Sequence, residues 1–284
     1  MYPILFRLPQ WLPLLGGQPI TSFGVMMLCA FLTAAYVTRA EMRRMGEDPE
    51  KAWDLVFMAV VGGILGAKIY YILLNYHQLT THPASLIFSR GGLVWYGGFL
   101  LATVLVIWEI RRQKLPLPKM ADAIAPALAI SYAVGRMGCF LVGDDYGRPT
   151  SSWIGIRFPQ GSPPSTVANI QRDFGISVDS TLIHKYGQVV PVYPTQLFEI
   201  ALSSLIFLFL WRIRKHHHRR GWLFMVWLIL AGTERFLVEF LRAKDDRFFG
   251  IFTLAQMISL AVIVTGIVGA QRLRGPSEPE PTRA

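Results

Sequence analysis

Residues 123–148 read AIAPALAISYAVGRMGCFLVGDDYGR, an apolar run that ends in a charged turn. Residues 123–134 carry no charged side chain, which is typical of a membrane-buried helix. Arg136 lies inside the same run, and two carboxylates and a second arginine follow it between glycines. Ionisable residues at membrane depth are costly and are functional candidates by default. The stretch therefore predicts a membrane helix that carries a functional group at its end.

The composition of the whole chain favours a membrane protein. Of its 284 residues, 52% are hydrophobic and only 16% are charged, whereas a soluble domain usually carries about 25% charged residues. The net charge of +10 is one mark of nucleic-acid binding, but the basic clusters stand at the ends of apolar runs, as in cytoplasmic loops of membrane proteins. We therefore predict no nucleic-acid partner. Neither cysteine, Cys29 or Cys139, has metal-ligand spacing, and no motif implies a metal or another cofactor.

Seven apolar segments are long enough to cross a membrane, because a hydrocarbon core of about 30 Å requires roughly 20 residues as a helix. They are residues 20–38, 53–75, 93–110, 121–142, 194–211, 221–241 and 251–270. The predicted fold class is an all-α polytopic membrane protein with about seven transmembrane helices. More than half of the 28 basic residues fall in every second connection and in the C-terminal tail. These parts are predicted to face the cytoplasm, which places the N-terminus outside and the C-terminus inside.

The chain divides into five predicted regions along its length. Prolines interrupt the apolar N-terminal residues, which favours a segment that lies in the membrane interface. The long polar connection between spans 4 and 5 predicts a small outward-facing head. The regions are an interfacial segment at 1–19, spans 1–4 at 20–143, the head at 144–193, spans 5–7 at 194–270 and a disordered cytoplasmic tail at 271–284.

Span 6 contains GTERFLVEFLR, in which Arg235, Glu239 and Arg242 stand at i, i+4 and i+7 on one helix face. One interpretation is a structural ladder of ion pairs between helices. The other is a site for an anionic headgroup, with Glu239 holding Arg235 in place.

Span 5 begins with YPTQLFE, in which Gln196 and Glu199 share one face of the first turn. A carboxylate there is also explained by the positive end of the helix dipole. With Arg136, Tyr96 and the span 6 residues, these groups fall toward the outer half of the membrane. Because arginine can hold a phosphate by two hydrogen bonds, this convergence predicts a phospholipid-headgroup site.

These motifs resemble the prolipoprotein diacylglyceryl transferase family over about residues 22–270. GRMGCFLVGDDYGR is similar to the family signature, and four further motifs follow the family order: GGILGAKIYYILLN, WYGG, YPTQLFE and RFLVEFLR. The sequence departs from the family pattern at Tyr96, where a histidine is usual, at Cys139, where the signature has asparagine, and at Asp144, where it has glutamate.

The resemblance implies an enzyme of the bacterial cytoplasmic (inner) membrane. It would transfer the diacylglyceryl group of phosphatidylglycerol to the signal-peptide cysteine thiol of prolipoproteins, forming a thioether and releasing glycerol phosphate. Its partners would be phosphatidylglycerol, prolipoprotein signal peptides and the membrane. Two alternatives stay open: a divergent member that binds phospholipid or modifies another acceptor, and an anionic-lipid transporter.

The site residues follow from the resemblance and from the buried charges together. Arg136 and Arg235 would bind phosphate and stabilise the leaving group, with Glu239 orienting Arg235 and Asp144 orienting Arg136 or polar loop groups. Tyr96 would act as a base or donate a hydrogen bond to substrate. The predicted catalytic residues are Arg136, Arg235, Glu239, Tyr96 and Asp144. The predicted substrate-binding residues are Arg136, Arg235, Arg242, Gly97, Gly98, Gly147, Gln196 and Glu199.

Overall fold

The computed structural model describes residues 1–11, 16–79, 92–243, 247–248 and 252–276, and these residues are mostly helical. Within them lie nine α-helices: α1 Ser22–Arg44, α2 Lys51–Leu74, α3 Trp95–Arg112, α4 Leu117–Val142, α5 Val167–Phe174, α6 Ser180–Tyr186, α7 Thr195–Ile213, α8 Trp222–Glu239 and α9 Leu254–Arg272. Four short strands form two antiparallel pairs: β1 Ile4–Arg7 with β2 Pro19–Thr21, and β3 Arg247–Phe248 with β4 Phe252–Thr253.

A helix covers each of the seven apolar segments predicted from the sequence. Helix α1 continues six residues beyond its predicted end, because residues 39–44, RAEMRR, are good helix formers that hydropathy alone does not detect. Among the described helices, α1, α2, α4, α7 and α9 are long and apolar enough to cross a membrane. Helices α3 and α8 have 18 residues each and carry three charged side chains apiece. The chain is thus a multi-pass helical membrane protein, and the count of seven spans stays a prediction.

The chain forms two compact units. The first unit contains residues Met1–Thr33 and Ala125–Ala284, and the second contains Ala34–Ile124. Helices α1 and α4 each contribute to both units.

In the second unit, α2 and α3 approach each other closely through glycines. A Cβ added at Gly62 would lie 2.6 Å from the Cα of Ala102, and one at Gly66 would lie 2.6 Å from the Cβ of Leu101. Small residues let helix backbones approach in membranes, where packing rather than the hydrophobic effect drives association. The glycine-rich run of α2 is therefore a helix-packing surface.

Gly66→Ala is expected to lower the free energy of unfolding by about 1–3 kcal/mol, because the added methyl group overpacks the α2–α3 contact. For a chain of this size, that corresponds to a drop of roughly 2–12 °C in the melting midpoint in detergent. Gly63→Ala is the matched control, since a Cβ at Gly63 meets nothing within 4 Å. Equal melting midpoints for the two variants would contradict the packing assignment.

The charged ends of the helices in the second unit are paired. Lys119 lies 2.8 Å from Glu47, and two i,i+3 ion pairs join Arg44 to Glu41 and Arg112 to Glu109. A hydrophobic cluster lies between these ends and includes Met42, Leu55, Ile110 and Met120. The carboxylates of Glu41 and Glu109 are fully buried, and their ion pairs offset the free-energy cost of burying these charges.

In the first unit, the 144–193 segment has its own hydrophobic core between α4 and α7. The core side chains are Tyr146, Phe158, Val167, Ile170, Leu182, Val190 and Val192. Side chains cap both short helices of the segment, since Thr166 accepts a hydrogen bond from the amide of Asn169 and Asp179 accepts one from that of Thr181. The segment is therefore a packed part of the first unit, with Met1 and Phe140 also lying against its core, and its separate status as an outward-facing head stays a prediction.

Helix packing in the rest of the first unit brings α4, α7, α8 and α9 together. A cluster of Ala125, Ala129, Leu210 and Leu223 joins α4, α7 and α8. Helices α8 and α9 approach through glycines, because a Cβ added at Gly232 would lie 2.8 Å from the Cγ1 of Ile263.

The N-terminal residues form the β1–β2 hairpin, whose large apolar side chains are exposed at Tyr2, Phe6 and Trp11. The amide of Tyr2 donates to the carbonyl of Leu141, so the hairpin lies at the C-terminal end of α4. Its placement in the membrane interface stays a prediction, and residues 12–15 lie outside the described residues. At the other terminus α9 continues to Arg272, and residues 277–284 of the predicted disordered tail lie outside the described residues.

Candidate active site

The segment at Gly147 and Arg148 connects three elements of the first unit. The amide of Gly147 donates to the carbonyl of Tyr193, just before α7, and the amide of Arg148 donates to the carbonyl of Leu241, just after α8, both at 2.8 Å. A Cβ at Gly147 would clash with the Leu241 carbonyl oxygen and lie 2.9 Å from the Cγ2 of Thr195. Glycine is required there because the two flanking backbones leave no space for a side chain. Gly147 thus acts through packing in this structure.

The first turn of α7 holds the preceding acidic turn in place. The Thr195 hydroxyl donates to the carbonyl of Asp145 at 2.8 Å, and the Gln196 side-chain amide donates to the carbonyl of Asp144. Asp145 has a φ of +56°, a left-handed conformation that aspartate tolerates better than most residues. This backbone conformation separates the directions of the two neighbouring carboxylates.

Arg136, near the end of α4, contacts groups from three elements. Its Nη1 lies 2.8 Å from Oδ2 of Asp145, and its Nε lies 3.1 Å from Oε2 of Glu199 on α7. Its Nε also donates to the hydroxyl of Tyr132, which in turn donates to Oε1 of Glu199 at 2.9 Å. The side chain of Glu199 is almost fully buried. The guanidinium group is therefore fixed from two sides.

Arg235 is held on α8 by the carboxylate predicted from the sequence. Its Nη2 lies 2.7 Å from Oε2 of Glu239, one helical turn away, and its Nη1 lies 3.8 Å from Oε1 of Glu199. Glu239 is fixed in turn by the Thr253 hydroxyl, which donates to its Oε1 at 3.2 Å. Thr253 begins α9 as part of a capping box with Gln256, so its position is well defined.

Arg242 lies in the turn after α8 rather than on the helix face expected from its spacing, because α8 ends at Glu239. Its Nη2 lies 2.8 Å from Oδ1 of Asp145, and its Nε lies 3.7 Å from Oε2 of Glu239. Asp145 consequently bridges two arginines, Arg136 and Arg242, one through each carboxylate oxygen.

The structure pairs Arg136 with the second of the two neighbouring aspartates. The sequence predicts that Asp144 orients Arg136 or polar loop groups; the carboxylate in ion-pair contact with Arg136 belongs to Asp145, and the predicted role of Asp144 stays a prediction. The Oδ1 atom of Asp144 is buried and has no hydrogen-bond partner among the described residues. The two neighbouring aspartates thus have different environments and different chemistry.

The pKa values of these two carboxyls move in opposite directions. Burial, followed by the charge of Asp145, raises the pKa of Asp144 from 3.8 to about 6. Burial also acts to raise the pKa of Asp145, but Arg242 and Arg136 outweigh it and hold that pKa at about 2. Asp145 is therefore ionised at neutral pH, and Asp144 titrates in mildly acidic solution.

Asp144→Asn is expected to remove a pH-dependent loss of stability. Because the pKa of Asp144 is higher in the folded protein than its ordinary value of 3.8, its contribution is complete below that value and is lost as the pH rises through about 6. From about pH 4 to about pH 7, the wild-type free energy of unfolding should fall by roughly 1–2 kcal/mol relative to the variant, a figure discounted for solvent screening. Thermal melting in detergent at both pH values measures the difference.

The exposed Asp173 provides the control for this comparison, since Asp173→Asn should not alter the pH dependence in that window. Asp145→Asn should change the pH dependence of the free energy of unfolding in the opposite direction. Because the pKa of Asp145 is lowered in the folded protein, its carboxylate stabilises the fold above pH 3.8, and this stabilisation is lost as the pH falls toward 2. If the free energies of unfolding of wild type and Asp144→Asn changed with pH in parallel, the raised pKa of Asp144 would be contradicted.

Two guanidinium nitrogens in the site are buried and lack hydrogen-bond partners among the described residues: Nη1 of Arg235 and Nη1 of Arg242. A buried donor without a partner is costly, and charged groups of this kind cluster at functional sites. An anionic group with several oxygens, such as a phosphate, would satisfy both. In the described part of the chain, no group of His, Cys, Asp and Glu side chains is arranged to hold a metal ion.

The second unit contains three of the predicted site residues. Tyr96 begins α3, is 45% exposed and packs edge-on against Trp95 at 5.3 Å. Gly97 and Gly98 face α2, and a Cβ at Gly98 would lie 2.7 Å from the carbonyl oxygen of Gly63. The glycine pair therefore has a packing function in this structure, and the predicted substrate roles of all three residues rest on the family resemblance.

Sequence reasoning missed four residues of the site: Tyr132, Asp145, Thr195 and Thr253. Tyr132 stands one helical turn before Arg136, a spacing that places both on one face of α4, so this contact was accessible from the sequence. Thr195 lies next to Gln196 in the motif YPTQLFE, but its hydrogen bond depends on the fold of the acidic turn. The contact of Thr253 joins two helices and has no local signal.

Fold and site together define a multi-pass membrane protein with an arginine- and carboxylate-rich centre where helix ends meet. The family model described as prolipoprotein diacylglyceryl transferase matches residues 9–271. The chain belongs to this family.

Curated relatives match over nearly the full chain. The phosphatidylglycerol–prolipoprotein diacylglyceryl transferase of Clostridium tetani is 28% identical over 268 residues, which cover 94% of this chain and 96% of the relative. The enzyme of the same name from Geobacter sulfurreducens is 29% identical, with 94% of each chain covered. The phosphatidylglycerol–prolipoprotein diacylglyceryl transferase 2 of Clostridium perfringens is 30% identical, with 92% of this chain and 95% of the relative covered. These are bacterial proteins.

Proposed function

We propose that this chain transfers the diacylglyceryl group of phosphatidylglycerol to the cysteine thiol of prolipoproteins, as the names of its relatives state for those proteins. The observation that carries the proposal is the cluster of Arg136, Arg235 and Arg242, which is held by the carboxylates of Asp145 and Glu239, while two of its buried guanidinium nitrogens lack hydrogen-bond partners among the described residues. Such a cluster suits a phosphate that gains negative charge during a reaction.

In the proposed reaction, a thiolate sulfur forms a bond to a glycerol carbon while the bond from that carbon to the phosphate oxygen breaks. Glycerol phosphate leaves with the electron pair, and its phosphate gains charge. Arg235 and Arg242 offer their Nη1 atoms, which lack hydrogen-bond partners among the described residues, to the phosphate, and Arg136 supplies a third positive charge. Because these cations are fixed before the substrate binds, they stabilise the developing charge without reorganisation.

The same positive field favours ionisation of the attacking thiol, whose ordinary pKa is about 8.5. Glu199 and Glu239 act as positioning residues, since each is almost fully buried and contacts an arginine rather than open space. We propose that Tyr96 hydrogen-bonds the substrate, as its place in the family motif implies. The thiol proton passes to solvent water before the attack, so no dedicated base is required in this scheme.

We further propose that seven helices cross the cytoplasmic membrane, with the N-terminus and the 144–193 segment outside and the C-terminus in the cytoplasm. The basic residues of the α7–α8 connection and of the C-terminal end of α9 support this orientation. A membrane-impermeant thiol reagent should label Ser151→Cys in intact cells and should label His217→Cys only after lysis. Labelling in the reverse order would contradict the orientation.

The direct test of function uses the purified full chain in vesicles that contain phosphatidylglycerol with labelled acyl chains. A signal peptide with a single cysteine should gain the mass of a diacylglyceryl group through a thioether, and glycerol phosphate should appear in equal amount. The matched peptide with serine in place of cysteine should gain nothing. Lipid binding without thioether formation would contradict the enzymatic function.

A further inference from the structure

The site contains two kinds of buried polar atom without partners. The donors are the Nη1 atoms of Arg235 and Arg242 discussed above. Four acceptor atoms of the site also lack hydrogen-bond partners among the described residues: Oδ1 of Asp144, Oε1 of Gln196, and the Oε2 atoms of Glu199 and Glu239. The two glutamate oxygens lie 3.1 and 2.7 Å from arginine nitrogens in ion pairs, so Asp144 and Gln196 hold the two acceptors without a cation assigned to them. An anion satisfies the first kind, but only a ligand with hydroxyl or N–H groups satisfies the second.

The orientation of the Gln196 amide follows from its one hydrogen bond. Its nitrogen donates to the main-chain carbonyl of Asp144, and because a carbonyl only accepts, the nitrogen must be the atom that faces it. The amide oxygen is therefore left over. Gln196 has no exposed surface, so bulk water does not compensate this oxygen.

The carboxylate of Asp144 lies within hydrogen-bond reach of the Cys139 thiol, and its Oδ1 atom has no hydrogen-bond partner among the described residues. The next residue, Asp145, bridges Arg136 and Arg242. Asp144 therefore directly precedes the residue that holds two of the cations proposed to bind a phosphate, and the Gln196 side chain is hydrogen-bonded to the main chain of Asp144. A substrate group recognised by these acceptors must be attached close to that phosphate.

We propose that Asp144 and Gln196 accept hydrogen bonds from the hydroxyl groups of the headgroup glycerol and thereby select phospholipids with a polyol headgroup. The inference rests on the proposed function and assigns a specificity role within the same site. The headgroup glycerol is esterified directly to the phosphate, so its hydroxyls lie within a few bonds of the oxygens that the arginines hold. An ammonium headgroup would be attracted by the carboxylate of Asp144 but repelled by three guanidinium groups. The repulsion disfavours binding of zwitterionic lipids.

The test compares phosphatidylglycerol with phosphatidylpropanol, which has the same phosphate and a three-carbon headgroup without hydroxyls. Both lipids, with identical acyl chains, are presented in vesicles to the purified full chain and a cysteine-bearing signal peptide. We expect wild type to prefer phosphatidylglycerol in kcat/KM by at least on the order of 10²-fold, because a site built to bind a hydroxyl rejects the analogue that lacks it.

Variants then locate the source of this preference. Asp144→Ala and Gln196→Met should each lower the ratio of the two kcat/KM values by about 10-fold, mainly through slower transfer from phosphatidylglycerol. Asp144→Asn keeps an acceptor oxygen and should keep most of the preference. Arg172→Ala, which changes an exposed arginine of the same unit, should leave the ratio unchanged.

The outcomes separate the inference from the function on which it rests. If wild type transfers nothing from either lipid, the proposed function fails. If wild type transfers equally well from both lipids, the inference is overturned and the function stands, and this comparison needs no variant. If the variants keep the lipid preference and instead raise KM for the peptide, the free acceptors bind the peptide main chain and the inference is again overturned.

Discussion

Arg136→Ala is expected to lower the rate of diacylglyceryl transfer by on the order of 10³-fold, the largest effect that we predict for a single substitution. Arg136 lies 2.8 Å from Asp145 and 3.1 Å from Glu199, so its removal deletes a fixed positive charge and leaves a buried carboxylate without its nearest cation. Burial of that carboxylate without its nearest cation also lowers the free energy of unfolding. The rate is measured as thioether formation on a cysteine-bearing signal peptide.

Two further variants distinguish charge from fold. Arg136→Lys keeps the positive charge but loses the planar fork that contacts several groups at once, and we expect an intermediate rate. Arg172→Ala removes an exposed arginine that pairs with its neighbour Asp173 and donates to the side-chain oxygen of Asn169, and it should transfer at the wild-type rate. Wild-type rates for Arg136→Ala would remove this arginine from the site.

Asp145→Asn is expected to lower transfer by on the order of 10²-fold. The carboxylate of Asp145 contacts both Arg136 and Arg242 at 2.8 Å, so loss of its charge removes one ion pair from each of two guanidinium groups at once. A displacement of about 1 Å in a catalytic group can cost a factor of this size. The effect should appear mainly in kcat, because the cations remain present and only their positions change.

The comparison with Asp144→Asn makes this prediction specific. The family resemblance places the signature carboxylate at Asp144, whereas the ion pairs belong to Asp145. We expect Asp145→Asn to be the slower of the two variants with phosphatidylglycerol as donor. If Asp144→Asn were instead the slower variant, with both proteins folded as judged by circular dichroism and gel filtration, the role that the family resemblance implies for Asp144 would be favoured.

Much of this architecture could be predicted from the sequence because membrane helices leave a strong local signal. Seven apolar runs each correspond to a helix, and the spacing of Arg235 and Glu239 predicted their ion pair correctly. Both inferences depend only on residues within one helix. The buried charges were also identifiable one by one, since few ionisable residues interrupt the apolar runs.

The remaining details depend on information that a single sequence does not contain. Asp144 and Asp145 are the same residue type, and the carboxylate that faces the arginines depends on the fold of the acidic turn, in which Asp145 has a left-handed backbone and Thr195 and Gln196 hold the main chain. From the sequence, Gly97 and Gly98 are equally consistent with a surface that binds substrate and with a contact between helices. Only the position of α2 shows that both glycines pack against a helix. Thr253 reaches Glu239 from a different helix, and such a contact leaves no pattern in either segment.

The hydrogen bonds of Gly147 and Arg148 also imply a mechanical coupling. Their backbone is joined both to Tyr193 before α7 and to Leu241 after α8, and Arg242 follows Leu241 directly. A displacement of this backbone would therefore be transmitted to Arg242. The position of that arginine in the site is thus tied to the base of the 144–193 segment through two main-chain hydrogen bonds.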